Sequence, residues 1–510
     1  MTSSFKLSDL EEVTTNAEKI QNDLLKEILT LNAKTEYLRQ FLHGSSDKTF
    51  FKKHVPVVSY EDMKPYIERV ADGEPSEIIS GGPITKFLRS SGTSGEGKQK
   101  IFPVNDDFAK KMGYILALRS LVMHSKDTSA EEGKSMEFHY IKPEYTTLSG
   151  LPISTRDQVV KVRASFAYTL VRAINFLEKY WKELCSNIRS GHVSDWITDL
   201  NCRNSVSVIL GGPNPELADL IEKICSHKSW EGIITRLWPK SRSLEAIFTG
   251  QMAQYIPILE FYSNKLPQVS TVYGCSESTF GFNVDPLSKP QDVSYTFLPN
   301  ISYFEFLPID HERDIASIVD LVNVKQGCYY EPVVVGFYNS TPQFRFVRRK
   351  NIVLSVETEM TTEEDILKAL ARASLVLESS SDVMLMGFTC YADVSTFPGH
   401  YVFYWELKAR AIKDVEPDKK VLVECCSVLE ESFDALYRRL RSKGGVIGAL
   451  EIRVVQKGTF DSLMEYFTSE GGSTAQYKTP ICINSSEALA VLESKVLSRF
   501  YSERSPPLDS

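Results

Sequence analysis

The sequence lacks the patterns that mark several large classes of protein. Its nine cysteines are scattered over 510 residues without a Cys-x-x-Cys pair, which argues against a disulfide framework and a structural zinc site. No apolar run approaches the roughly 18 residues of a membrane span, and the N-terminus has no signal-peptide pattern. The eight histidines form no metal-binding motif. These absences predict a cytoplasmic protein with no membrane partner.

The chain also lacks a surplus of positive charge. Lys and Arg number 58 against 66 Asp and Glu, which gives a formal net charge of −8. Nucleic-acid-binding proteins usually carry a basic surplus or stripe, so we expect no nucleic-acid partner. The longest basic cluster, at 348–350, is typical of a solvated strand end.

What the sequence does contain is the composition of a large globular protein. Apolar residues make up 42% of 510 residues, which is enough for two to four domains. Between 201 and 310, short apolar runs alternate with helical patterns, which favours an α/β domain with mixed or parallel sheets. After about residue 354, strands and helices follow without that alternation. We therefore predict a large N-terminal α/β domain over 1–357 and a small C-terminal α+β domain over 358–510.

Apolar spacing predicts several individual elements. It predicts two helices between 14 and 42 with a break near Asn32, and a helix over Pro215–Cys225. Short apolar runs predict strands at Val206–Ile209, Ile233–Trp238 and Gln268–Tyr273. In the C-terminal part we expect a helix that begins at Thr361–Glu364, strands at 385–392, 400–407 and 450–457, and helices at 419–443, 459–470 and 485–503.

The most distinctive segment is SSGTSGEGK at 90–98. Glycines permit tight turns in which backbone N–H groups converge on an anion, and hydroxyl groups add donors. The segment nearly matches a P-loop, but Gln99 occupies the position of the Mg²⁺-binding hydroxyl, and Pro103 interrupts the helix that should follow. The residues alone leave open a phosphate-binding loop and an ordinary turn.

A second segment, VYGCSE at 272–277, follows a predicted strand. Ligands of α/β sheets bind beyond the carboxyl ends of strands. At such an end Tyr273 could stack on a planar base, Gly274 would permit close approach, and Glu277 could hold Mg²⁺. A strand-to-loop transition with a solvated glutamate explains the same residues equally well.

A third segment, GSTAQYKTP at 472–480, places Lys478 in a loop bounded by glycine and proline. A lysine in such a loop could stabilise a developing negative charge. Most loop lysines, however, are simply solvated.

The three segments, in this order, resemble those of adenylate-forming enzymes. The sequences SSGTSGEGK, VYGCSE, FPGHYVFYWEL and GTFDSLMEYFTSEGGSTAQYKTP are similar to those of plant acyl-acid amido synthetases of the auxin-responsive Gretchen Hagen family. The resemblance covers almost the whole chain. Within the family, the sequence most resembles the branch that acts on benzoate-type acids.

The resemblance implies an ATP-dependent ligase that joins a carboxylic acid to an amino acid through an acyl-adenylate, with Mg²⁺ as the metal ion. It implies a monomer whose partners are these small molecules. Adenine would lie at Tyr273, while Val272 and Gly274 would also bind ATP, and Glu277 would hold Mg²⁺. Phosphates would bind the residues of the first loop, namely Ser90, Ser91, Gly92, Thr93 and Ser94.

Two further residues receive roles from the same resemblance. Lys478 would stabilise charge on the transferring phosphoryl and carboxylate oxygens. Arg119, on an apolar helix over Tyr114–Val122, would bind the carboxylate of the acyl acid, and a plain surface arginine is the alternative.

The chain departs from the family pattern at four places. No Gly-Asp occurs between Ser278 and Ser355, where the resemblance implies a ribose-binding Asp, and the chain passes through 331–338 as if a hairpin were removed. After Pro152 the strands and helix that would line the acyl pocket are also missing. Met360 and Ile481 replace an expected lysine and arginine. The sequence therefore favours a ligase of impaired activity, with an inactive binding or regulatory paralogue or a truncated isoform as the alternative.

Overall fold

The computed structural model describes residues 6–89, 100–105, 107–126, 134–138, 159–275, 278–309, 318–330, 333–338, 340–345, 353–410, 418–470 and 477–508. The chain divides into two compact units. The first comprises Met1–Gly92, Lys98–Ala130 and Ser270–Val347, and the second comprises Thr93–Gly97, Glu131–Val269 and Arg348–Ser510. The domains 1–357 and 358–510, predicted from the change in the pattern of strands and helices along the sequence, stay a prediction.

The helices of the described residues are, in chain order, α1 (Leu7–Thr15), α2 (Ala17–Asn32), α3 (Glu36–Leu42), α4 (Lys48–His54), α5 (Tyr60–Ala71), α6 (Asp107–Lys126), α7 (Ala167–Ser190), α8 (Leu200–Leu210), α9 (Pro215–Cys225), α10 (Ile233–Leu237), α11 (Ile256–Ser263), α12 (Glu363–Ser380), α13 (Lys419–Ser432), α14 (Ala435–Arg439), α15 (Thr459–Ser469) and α16 (Ser486–Glu493). Within this described part of the chain, no helix combines the length and the apolar character that crossing a membrane requires.

The strands are β1 (Lys86–Arg89), β2 (Ile101–Val104), β3 (Lys134–Phe138), β4 (Val159–Phe166), β5 (Ser243–Ile247), β6 (Gln268–Val269), β7 (Val272–Gly274), β8 (Thr279–Phe282), β9 (Tyr295–Phe297), β10 (Glu305–Phe306), β11 (Val319–Asp320), β12 (Val333–Tyr338), β13 (Thr341–Arg345), β14 (Val353–Leu354), β15 (Thr361–Thr362), β16 (Val383–Asp393), β17 (His400–Ala409), β18 (Glu451–Val455) and β19 (Val496–Tyr501). The architecture therefore mixes helices with several sheets, as predicted.

The N-terminal helices confirm the prediction for residues 14–42. Helix α2 ends at Asn32, and α3 begins after Thr35, whose hydroxyl accepts a hydrogen bond from the Leu38 N–H. A hydroxyl at this position satisfies one of the four N–H groups that the first turn of a helix leaves without an intrahelical partner. The apolar spacing and the cap therefore define the same break.

An antiparallel sheet of the first unit contains the second site segment. Its strand order is β12-β13-β9-β8-β7, so β7 and β12 are the edge strands. The β12–β13 pairing shifts register between Val334 and Gly336. This β-bulge lies where the sequence lacks the expected hairpin. The shortened chain is thus accommodated in an edge strand, where an unpaired extra residue disturbs the fewest neighbours.

The second unit contains a four-stranded sheet with the order β3-β4-β5-β6, in which all neighbouring strands are parallel. Helices α7 to α10 lie between β4 and β5 in the chain, and α11 lies between β5 and β6. This alternation is typical of an α/β fold and confirms the predicted class for the segment. The strands predicted at Val206–Ile209 and Ile233–Trp238 are wrong, because these residues belong to α8 and α10.

The caps explain both errors. Asp199 accepts a hydrogen bond from the Cys202 N–H at the start of α8, and Gly211, in the left-handed conformation, ends it. Gly232 has φ of 64° just before α10, which buries Ile233, Ile234 and Leu237. An apolar run of four or five residues fits a strand or a buried helix turn equally well, so its flanking residues decide. The prediction at Gln268–Tyr273 is half right, because β6 and β7 occupy it in two different sheets.

The C-terminal residues form a second four-stranded sheet with the order β16-β17-β18-β19, and α12 and α13 pack together beside it. The predicted strands are confirmed, and the Thr362 hydroxyl caps α12 by accepting from the Asp365 N–H. The helix predicted over 419–443 breaks after Ser432, where Asp434 caps α14. The helix predicted over 485–503 is wrong beyond Glu493, because β19 pairs with β18 and exposes alternate residues.

A buried carboxylate stabilises this sheet. Glu451 of β18 is fully buried, and its oxygens lie 2.6 Å from Arg453 Nη2, 3.2 Å from His400 Nε2 and 3.0 Å from the Tyr501 hydroxyl. Burial by itself would raise the pKa of Glu451, but the hydrogen bonds from His400 and Arg453 outweigh burial and lower the pKa to about 2. The folded state therefore favours the ionised carboxylate.

Replacement of Glu451 by Gln should destabilise the protein at neutral pH and have less effect in acid. At pH 7 we expect a loss of about 3 kcal/mol, because Arg453 loses its buried partner. The folded pKa lies below that of the unfolded chain, so this stability is present above about pH 4.3 and is lost as the pH falls towards the folded pKa. The difference in urea unfolding midpoint between wild type and E451Q should stay nearly constant from pH 7 to about pH 4.3 and be clearly smaller at pH 3. A difference as large at pH 3 as at pH 7 would contradict this explanation. Glu465→Gln, at an exposed position of α15, is the control.

Candidate active site

The parallel sheet provides a candidate binding edge. Strand β4 ends at Phe166, and β5 ends at Ile247 in the neighbouring position. The carboxyl ends of parallel strands meet at one edge, where ligands of α/β sheets commonly bind. The Nζ atom of Lys478 lies 4.8 Å from the centroid of the Phe166 ring. The structure therefore brings the lysine of the third segment to the carboxyl edge of this sheet.

The residues on either side of Lys478 are buried. Tyr477 is 3% exposed and Thr479 is 1% exposed, whereas Lys478 is only half-buried. The Thr479 Oγ1 atom lies 3.2 Å from the hydroxyl of Tyr255, the last residue of a short helical turn that follows β5. Because its neighbours pack inward, the lysine side chain is the one that the segment presents to the edge.

Three tyrosines pack together behind the lysine. The centroid of the Tyr168 ring lies 5.4 Å from that of Tyr255 and 5.6 Å from that of Tyr477. Burial raises the pKa of all three hydroxyls. They therefore stay protonated near neutral pH and can contribute hydrogen bonds and packing but no negative charge.

Polar contacts also join helix α7 to the C-terminal elements α15 and β17. On α7, Arg172 lies 3.4 Å from Asp461 of α15 and 3.0 Å from the Met464 sulfur. Lys408 of β17 pairs with Glu178 of α7. These contacts cannot be predicted from the sequence, because single charged residues in a helix and a strand carry no signal of a partner more than two hundred positions away.

The second site segment lies on an edge strand of the first unit. Val272, Tyr273 and Gly274 form β7, and the Tyr273 ring stacks on Tyr295 at a centroid distance of 5.2 Å. Phe280 lies 5.1 Å from the same ring. Tyr273 is half-buried and Gly274 is exposed. The sheet thus fixes the tyrosine by aromatic packing, and its role at an adenine stays a prediction.

The predicted helix over Tyr114–Val122 is confirmed within α6. Arg119 is half-buried on this helix, next to the buried residues Leu118 and Val122. A half-buried guanidinium is better placed for a bidentate carboxylate contact than an arginine on the open surface. Its assignment to an acyl acid stays a prediction.

Other predicted residues lie outside the described part of the chain. Glu277 is one of them, and the phosphate-loop residues Ser90, Ser91, Gly92, Thr93 and Ser94 are the others. The strands on either side of that loop are described: β1 and β2 pair antiparallel, with Arg89 opposite Ile101. Among described residues, no group of three or more His, Cys, Asp or Glu side chains is arranged to hold a metal ion.

The sequence matches three profiles of one family. The GH3 family N-terminal domain matches residues 6–156 and 153–268, the central domain matches 295–335, and the C-terminal domain matches 364–487. The N-terminal match is split at 153–156 and the central match ends at 335. These are the two places where the sequence analysis finds segments missing.

Individual relatives are similar along their whole length. The 4-substituted benzoates-glutamate ligase GH3.12 of Arabidopsis thaliana is 49% identical over 563 residues, with 97% of each chain covered. The indole-3-acetic acid-amido synthetase GH3.17 of the same plant is 46% identical over 98% of this chain and 96% of its own. The structure of the AtGH3.15 acyl acid amido synthetase in complex with 2,4-DB superposes with a TM-score of 0.90 at 43% identity, covering 100% of both chains.

Replacement of Gly281 by Ala should disturb the strand that supports Tyr273. Gly281 lies opposite Tyr273 in the β7–β8 pair, and a Cβ atom there would lie 1.9 Å from the Thr296 carbonyl oxygen. Because the obstacle is backbone, β9 must shift, and we expect a loss of at least about 1–3 kcal/mol. Thermal unfolding measures this loss. Gly82→Ala, whose Cβ would meet only the end of Leu31 at 4.0 Å, is the control, and equal effects would contradict the account.

Proposed function

Because this chain belongs to the GH3 family, we propose that it is an ATP-dependent acyl acid amido synthetase, a ligase that joins a benzoate- or hormone-type carboxylic acid to an amino acid. The observation that carries the proposal is the position of Lys478 at the carboxyl edge of the parallel sheet, beside Phe166. The 49% identity to a benzoate–glutamate ligase supports the proposed class of acid. A cytoplasmic monomer that uses ATP and Mg²⁺ is part of the same proposal.

The proposed reaction has two steps. The carboxylate of the acid attacks the α-phosphate of ATP, so that an acyl–phosphate bond forms and pyrophosphate leaves. The amine of the amino acid then attacks the acyl carbon, an amide bond forms, the bond between the acyl carbon and the phosphate oxygen breaks, AMP leaves and the nitrogen releases a proton. Lys478 would stabilise the negative charge that builds on the phosphoryl and carboxylate oxygens in the first step.

Other residues would bind and orient the substrates. Arg119 would hold the carboxylate of the acid, and Tyr273 would lie at the adenine, supported by its stacking on Tyr295. Glu277 would hold Mg²⁺, which when bound neutralises phosphate charge. The loop at 90–94 would supply N–H and hydroxyl donors to the phosphates.

Because segments of the relatives are missing, we expect weak activity. For the same reason, a binding or regulatory role without turnover is the second candidate function. The alignment to the benzoate–glutamate ligase extends over 563 positions, more than the 510 residues of this chain, so part of the relative has no counterpart here. A binding or regulatory paralogue would bind an acid or a nucleotide without turnover. A thermal shift with either ligand, combined with no product, would favour this second function.

Replacement of Lys478 by Ala should strongly reduce acid-dependent exchange of pyrophosphate into ATP. Loss of one group that stabilises transition-state charge lowers kcat by about a hundred- to a thousandfold. The assay contains the protein, ATP, Mg²⁺, labelled pyrophosphate and a panel of benzoates. Lys419→Ala, at the exposed start of α13, serves as the control. Equal exchange by wild type and K478A would contradict the proposed role.

Restoring the missing hairpin near 334–336 should improve the binding of ATP. A charge-assisted hydrogen bond from ribose to a carboxylate contributes about 1.5–3 kcal/mol, which corresponds to about a ten- to hundredfold lower KM for ATP. Insertion of the corresponding segment of the benzoate–glutamate ligase provides the variant, and the same insert with its Asp changed to Asn provides the control. An unchanged KM for ATP would contradict the prediction.

A further inference from the structure

Lys478 carries its ammonium on a stem with four rotatable bonds, so the place its charge can reach depends on where its backbone lies. The residues on either side of it hold that backbone. Tyr477 and Thr479 are both buried, Tyr477 packs against Tyr168, and Thr479 contacts the Tyr255 hydroxyl. These two residues therefore fix the position of the Lys478 backbone.

The chain beyond Lys478 is attached to the C-terminal sheet. The carbonyl oxygen of Pro480 accepts a hydrogen bond of 2.8 Å from the Thr389 hydroxyl, and that of Ile481 accepts one of 2.8 Å from the Cys390 N–H. The hydroxyl contact between Thr479 and Tyr255 connects this attached chain to the turn after β5. It is a link between the C-terminal sheet and the carboxyl edge of the parallel sheet, one residue from the lysine.

Tyr255 is itself held rigidly. Its side chain is 2% exposed and packs against Tyr168, the second residue of α7, which begins where β4 ends. Its position therefore follows the ends of both β4 and β5. A buried hydroxyl in such a place contributes a hydrogen bond of defined direction, because both partners are buried and neither can exchange this bond for one to water.

We propose that Tyr255 is a positioning residue for Lys478, acting through the hydroxyl of Thr479. The inference rests on the proposed function, since it assumes that Lys478 acts on the substrates. Tyr255 would raise kcat for formation of the acyl-adenylate without contributing to the affinity for ATP. It would touch neither substrate.

Tyr255→Phe removes the hydroxyl and keeps the ring, and Thr479→Val removes the partner hydroxyl at constant shape. Each should lower kcat of acid-dependent pyrophosphate exchange about two- to tenfold, the effect of one hydrogen bond, with KM for ATP unchanged. The double variant should lose no more than either single variant, because both remove the same bond. Tyr437→Phe, another fully buried tyrosine whose hydroxyl contacts Glu430, is the control and should leave kcat unchanged.

The decisive comparison is made in a Lys478→Ala background. A positioning residue has nothing left to position there, so Tyr255→Phe should cause no further loss of kcat. The same fractional loss with and without Lys478 would overturn the inference and assign Tyr255 a purely structural role. Unchanged kcat in Tyr255→Phe with an active wild type would also overturn it while leaving the proposed function intact.

A measurement that needs no activity completes the test. The rate at which an N-hydroxysuccinimide ester acylates Lys478, followed by peptide mass spectrometry, should change several-fold in Tyr255→Phe and Thr479→Val but not in Tyr437→Phe. If the wild-type protein shows no pyrophosphate exchange with any acid of the panel, the proposed function fails. The labelling rate alone then tests whether Tyr255 positions Lys478. Equal labelling in all three variants would then overturn the inference.

Discussion

The candidate site is built around the hydrogen bond between the hydroxyls of Tyr255 and Thr479. The rings of Tyr168, Tyr255 and Tyr477 pack beside this bond. The carboxyl edge of a parallel sheet is where ligands of α/β folds commonly bind. The third segment of the sequence places Lys478 at this edge from more than two hundred residues away along the chain. Burial of Tyr477 and Thr479 makes Lys478 the side chain that faces the edge, and their partners on α7 and in the turn after β5 hold it there.

One of the two missing segments falls at an edge strand, where the fold tolerates a change of length. In the first unit the shortened chain continues as β12, an edge strand with a bulge at Val334–Gly336. An edge strand has a neighbour on one side only, so a changed register there leaves β13, β9 and β8 paired. The splits in the family matches at 153–156 and 335 place the missing segments at the same positions as the sequence analysis. A chain can therefore retain the family fold without these segments.

Much of the fold follows from the sequence where local signals agree. Asn32 and Thr35 mark the end of one helix and the start of the next, and Thr362 with Asp365 marks α12, because caps and apolar spacing point to the same residues. The wrong secondary-structure predictions concern short apolar runs, because their conformation depends on flanking residues or on a neighbouring strand that the run itself does not reveal. Ile233–Leu237 forms a helix that a glycine begins, and Val496–Tyr501 forms a strand only because β18 lies beside it. For the site, the sequence indicated Lys478 and Tyr273 through motifs, but nothing in it indicates that Tyr255 meets Thr479.

Whether the intact protein makes an amide tests the proposed function most directly. The protein would be incubated with ATP, Mg²⁺, a 4-substituted benzoate and glutamate, and the products would be identified by mass spectrometry. We predict the acyl–glutamate amide and AMP in equal amounts, slowly formed and dependent on all four additions, and lost in the Lys478→Ala variant. A folded wild-type protein that releases no AMP and forms no amide with any acid or amino acid would contradict the central claim.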